Sequence, residues 1–205
     1  MSALTLPGRT LADALWPRTS ASQTSAQQAV RFVVLALVGS VLMTVASKIQ
    51  VPFFPVPMNL GTFAVMAISA AYGSRLAVAT MLVFLAEGAL GLPVFVGTPE
   101  KGIGLAYMLG GTGGYLAGYV VAAFIVGYVA ERVGPTSVLK LGAAMLVADA
   151  VLFALGIAWL GMLFGWDKPI LEWGLYPFIY GDLAKIALAA CGVPAVWALI
   201  SRIKG

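Results

Sequence analysis

The chain has 205 residues, of which 61% are hydrophobic and only 10% charged, with a mean hydropathy of +0.98. So few charges cannot clothe a soluble domain, and the composition reads as one compact all-α integral membrane domain. The net charge of +4 comes from scattered Lys and Arg and gives no sign of nucleic-acid binding. With no histidine, imidazole bases and most transition-metal sites drop out. The single Cys191 excludes an internal disulfide framework or thiolate cluster and is expected to be a small buried residue.

Residues 1–27 are Ser/Thr/Ala-rich and lack the apolar core of a secretory signal, so they are expected to form a cytoplasmic tail or short surface helix. Residues 28–205 are expected to hold six transmembrane helices, on apolar runs at 30–49, 59–73, 75–92, 112–131, 138–164 and 181–202. A span takes about 20 residues. The second and third runs are short, separated only by Gly73-Ser74, and predict a tight helical hairpin. Arg31, Arg75, Arg132, Lys140 and Arg202 fall on one side, which predicts both termini in the cytoplasm of a bacterial cytoplasmic (inner) membrane.

The connections on the opposite side are unlike solvated linkers. They read VPFFPVPMN, GLPVFVGTPEKGIGLAYMLGGTGGY and GWDKPILEWGLYPFIYGD, rich in Pro, Gly and aromatics. Loops of this kind suit a cap over a ligand pocket, although Trp166 and Trp173 equally suit an interfacial belt.

Asp182 and Lys185 stand under that cap at the start of the last apolar segment, three residues apart and so on one helix face. Two readings fit the spacing. Asp182 caps the helix start while Lys185 snorkels to the interface, or the two address a shared ligand. Glu87 and Asp149, inside apolar runs, are either hydrogen-bonded to neighbouring helices or sites of proton coupling. Glu100-Lys101 reads as a rim or lid pair and Asp167-Lys168 as a solvated turn. The glycines at 110, 111, 113 and 114 lack the Gly-Lys-Ser/Thr of a nucleotide loop. Gly114 and Gly118 suit close helix packing, while backbone at Gly113 could donate to a ligand.

The ordered set PVPMNLGTF, GLPVFVGTPEKG, GGTGGYLAGY and PFIYGDLAK resembles the BioY family of biotin transporters, from about Gln28 to the end. These are substrate-binding S components of energy-coupling factor (ECF) transporters. The resemblance implies a six-helix S-component fold, biotin as ligand near the outer face, no cofactor and no enzymatic turnover. It also implies coupling-protein and ATP-binding-cassette ATPase partners. It places Asp182 and Lys185 among the polar contacts, with Phe54, Met58, Phe95, Tyr107 and Tyr115 available for the apolar body. Many relatives carry Thr and Gln where this chain has Asn59 and Gly61, and some carry an asparagine where it reads Val96-Gly97-Thr98-Pro99. Asn59 and Thr98 are therefore candidates for a further polar contact. Ala36 and Ser40, four apart, are the candidate small-residue surface for partner docking. Competing functions are an S component for another vitamin, a proton-coupled carrier of a small organic anion, and an intramembrane enzyme.

Overall fold

A computed structural model describes residues 10–16, 24–51, 58–100, 102–134 and 136–204; Phe54 and Lys101 lie outside the described residues. Among them the order is α1 (Leu11–Leu15), α2 (Ser25–Lys48), β1 (Gln50–Val51), β2 (Met58–Asn59), α3 (Gly61–Tyr72), α4 (Ser74–Ala89), α5 (Gly104–Met108), α6 (Gly113–Val133), α7 (Val138–Phe164), α8 (Ile170–Gly174) and α9 (Ile179–Lys204).

Helices α2, α6 and α7, together with the stretch from Ile170 to Ile203, are long and apolar enough to cross a membrane. Helices α3 and α4 occupy the two short runs, with 12 and 16 residues, or about 18 and 24 Å at 1.5 Å per residue. The expected hairpin between them is present. Gly73 turns it at φ +79, a conformation that costs glycine nothing. The new helix start is then capped from α6, where Glu131 accepts from the Ser74 N–H at 2.9 Å and from its hydroxyl at 3.0 Å.

The membrane pattern is inside-out on α2. Val33, Leu37, Val41 and Val45 point outward, while Ala36, Ser40, Met43 and Ser47 are buried. This overturns the docking role given to Ala36 and Ser40. Ala36 packs with Ala12 and Leu76, and the Ser40 hydroxyl donates to Glu87 on α4. Small residues on α2 let its own neighbours approach, so the outward face is made of Val and Leu. The same bond shows Glu87 hydrogen-bonded to a neighbouring helix. Cys191, expected inside, is exposed on the outer face of α9.

Helix α1 also differs from the expected surface segment. Leu11, Ala12 and Ala14 are buried, because Arg31 on α2 clasps the helix. Its guanidinium donates to the Trp16 carbonyl at 2.7 Å and to the Ala12 carbonyl and Asp13 carboxylate at 3.1 Å. Glycines bring α6 and α7 together as expected. A Cβ at Gly114 would lie 2.4 Å from the Leu155 carbonyl oxygen, and one at Gly118 would lie 3.0 Å from Leu152 Cα. Tyr115 in turn fills the notch left by Gly156.

Candidate ligand-binding site

A cavity open at its mouth lies between α3, α4, α6, α7 and α9. Its walls are largely aromatic. Phe84 meets Phe95 edge-on at 5.3 Å between ring centroids, and Phe95 stacks on Tyr107 at 5.1 Å. Tyr115 meets Phe153 edge-on at 5.9 Å, and Phe153 lies 6.0 Å from Phe178. Tyr107 and Tyr115 present rings rather than hydroxyls. Tyr115 donates to the Gly174 carbonyl and Tyr107 to the Val96 carbonyl, each at 2.8 Å. Burial pushes the Tyr107 hydroxyl up from its ordinary value against a smaller opposing effect of its contact with Thr112.

The polar end is built by α3 and α9. Lys185 Nζ donates to Asp182 Oδ1 at 2.5 Å and to Thr62 Oγ1 at 3.1 Å, and the Thr62 hydroxyl donates to the same carboxylate oxygen at 3.0 Å. Asp182 neither caps the helix nor faces solvent: its side chain is 3% exposed and that of Lys185 is 15%. Lys185 therefore turns inward and does not snorkel. Asp182 Oδ2 is buried and has no partner among the described residues, a costly condition for a carboxylate oxygen. This end can accept hydrogen bonds through that oxygen and donate through the ammonium.

Among the sequence candidates, Asp182, Lys185, Asn59, Phe95, Tyr107 and Tyr115 line the cavity. Asn59 reaches it through a feature the sequence did not announce, the antiparallel pairing of β1 with β2 that sets Asn59 opposite Gln50. Its Oδ1 accepts from the Gly61 N–H at 2.6 Å, so Asn59 offers the cavity its NH2 group. Three candidates lie elsewhere. Thr98 is buried in a turn bonded to Lys48. Met58 pairs with Val51 and packs against the core. Gly113 spends its N–H on the Gly110 carbonyl at 3.1 Å, and a Cβ there would strike the Met108 carbonyl oxygen at 2.2 Å, so it is a packing glycine.

Thr62, Tyr119 and Phe178 line the cavity and were missed. Each had a periodic signal: Tyr119 follows Tyr115 by four residues, Phe178 precedes Asp182 by four, and Thr62 is the hydroxyl in the first turn of a helix whose start had been recognised. Asp149 on α7 lies within electrostatic reach of Asp182 and Lys185 on α9, and its Oδ1 is buried without a partner among the described residues.

The model of the BioY family matches residues 18–202. The chain belongs to the BioY family. Among its relatives, the probable biotin transporter BioY of Pyrococcus horikoshii is 34% identical over 148 residues, covering 72% of this chain and 85% of the relative. The biotin transporter BioY of Thermotoga maritima is 32% identical over 160 residues, covering 78% and 92%. The fold is shared with a crystal structure of the S-component for biotin from an ECF-type ABC transporter, with a TM-score of 0.71 and 23% identity over 86% of this chain and 95% of the other. The match to the BioY model begins after α1.

Proposed function

We propose that this protein is the substrate-binding membrane component of a biotin uptake system. The observation that carries the proposal is the buried Asp182–Lys185 pair, whose Asp182 Oδ2 has no partner among the described residues, at the end of a cavity walled by aromatic rings. Biotin has two ureido N–H donors, a carbonyl acceptor, an apolar thioether bicycle and an anionic tail. Asp182 takes a ureido N–H, Lys185 donates to a biotin oxygen, and the rings of Phe95, Tyr107 and Tyr115 hold the bicycle. Asn59 adds a donor. The relatives' names and the shared fold support the same ligand.

In this reading α2, α3, α4, α6, α7 and α9 are six spans, the termini are cytoplasmic, and the Pro- and Gly-rich connections cap the pocket at the outer face of the cytoplasmic membrane. The 205 residues contain no phosphate-binding Gly-Lys-Ser/Thr loop. Energy for release therefore comes from a coupling protein and ATPases of the ECF type, and the protein carries biotin without chemical turnover. Equilibrium binding of biotin, thiamin and riboflavin to the purified chain tests the proposal. Selective binding of biotin is expected, and preference for another vitamin would refute it.

Asp149, whose buried Oδ1 has no partner among the described residues, favours one second reading: a proton-coupled carrier of a small anion. Uptake that collapses with an uncoupler while ATP stays high, and that Asp149→Asn abolishes, would select it.

A further inference from the structure

Lys48 is the last residue of α2, and its ammonium is used in an unusual way. Nζ donates to the Phe95 carbonyl at 3.0 Å, to the Thr98 carbonyl at 2.7 Å and to Thr98 Oγ1 at 2.9 Å. An ammonium has three N–H bonds, and one turn of chain takes all three. Among the described residues no carboxylate pairs with it.

The turn it holds forms a wall of the cavity. Phe95 is 1% exposed, and its ring fills the space over Gly88, where a Cβ would lie 2.0 Å from it. The Val96 carbonyl is taken by the Tyr107 hydroxyl at 2.8 Å, and the Thr98 hydroxyl donates to the Phe95 carbonyl at 2.6 Å. The short turn thus has three carbonyls bound by side chains. Lys48 supplies the contacts that tie it to α2, and the other two ties come from α5 and from within the turn.

We propose that Lys48 is a positioning residue, the latch that fixes the Phe95–Thr98 wall of the binding cavity without touching the ligand. The inference rests on the biotin-binding reading for its effect on affinity, but the latch itself is a property of the unliganded protein. Hydrogen bonds from a charged donor are roughly twice as strong as neutral ones. Replacing Lys48 with Met keeps the stem and removes all three of its bonds at once, leaving the turn tied only by α5 and by its own Thr98–Phe95 contact. The turn then opens more often, and bound ligand escapes faster.

The test uses the full chain in detergent or nanodiscs with two readouts. In hydrogen–deuterium exchange of the ligand-free protein, Lys48→Met speeds exchange of the Thr98 amide by about tenfold, while α6 and α7 amides stay at wild-type rates. In stopped-flow dissociation, the same variant releases biotin about tenfold faster, and releases the uncharged biotin amide faster by the same factor. Lys48→Arg restores most of both effects. Lys48→Gln, which keeps a shorter, uncharged donor and leaves the Thr98–Phe95 bond intact, gives a smaller change in the same direction and serves if Lys48→Met does not fold.

Unchanged exchange in the turn overturns the latch. A dissociation effect seen with biotin but not with its amide also overturns it, since Lys48 would then be touching the ligand's carboxylate. Failure of the wild type to bind biotin sinks the functional proposal instead, and the exchange experiment still decides the latch.

Discussion

Asp182→Asn probes the polar end of the cavity with almost no change in shape. In the wild type, Oδ1 is committed to Lys185 and Thr62, leaving Oδ2, which has no partner among the described residues, as the acceptor for a ligand. An asparagine that keeps its oxygen toward Lys185 must present its NH2 where the ligand also brings an N–H. The lost hydrogen bond to a charged acceptor, with the donor left facing a donor, costs about 2 kcal/mol, or roughly thirtyfold in Kd. Stability also falls. Lys185 is left largely buried without its counter-charge, and breaking a buried pair from one side costs about 3 to 5 kcal/mol, less here because the amide oxygen still accepts. Titration of purified protein with labelled biotin, beside a melting curve of the unliganded protein, separates the two effects. A folded Asp182→Asn protein whose Kd stays within about threefold of wild type would refute the assignment of Oδ2 to the ligand.

Three further outcomes follow from other parts of the structure. Thr62→Val removes the hydroxyl that both donates to Asp182 and accepts from Lys185; biotin titration should show a loss of about 1 kcal/mol, near fivefold. Gly114→Val places side-chain atoms where a Cβ alone would lie 2.4 Å from the Leu155 carbonyl oxygen and from Trp159 Cβ, and a drop in Tm corresponding to about 1 to 3 kcal/mol is expected. Arg31→Met removes the three contacts that hold α1; faster amide exchange confined to residues 11–15, with biotin Kd within about twofold of wild type, is the expected result.

Apolar runs marked the main helices because lipid demands continuous hydrophobicity, and that demand is written locally. The Gly73-Ser74 hairpin was equally legible, since a glycine between two apolar runs has few other uses. Asp182 and Lys185 were visible as charges too costly to be incidental, and helical spacing put them on one face. Their common partner was not visible, because Thr62 lies 120 residues away in sequence and reaches them only through the packing of α3 on α9. Direction of facing was the harder problem. Ala36, Ser40 and Cys191 sit in segments that are apolar all round, so periodicity carries little information about which side meets lipid. Thr98 and Gly113 were misplaced for a related reason: loops take their shape from contacts such as Lys48 and Trp159, and those are not encoded nearby.

The glycine seam between α6 and α7 has a mechanical consequence. Where Gly114 and Gly118 stand, no side chain separates the two backbones, and Tyr115 is keyed into the notch at Gly156. Such a pair resists both sliding and rocking, and it transmits load along its length as a single stiff beam. Any movement of this half therefore carries α6 and α7 as one body, while the turn that Lys48 holds forms a separately anchored wall of the cavity.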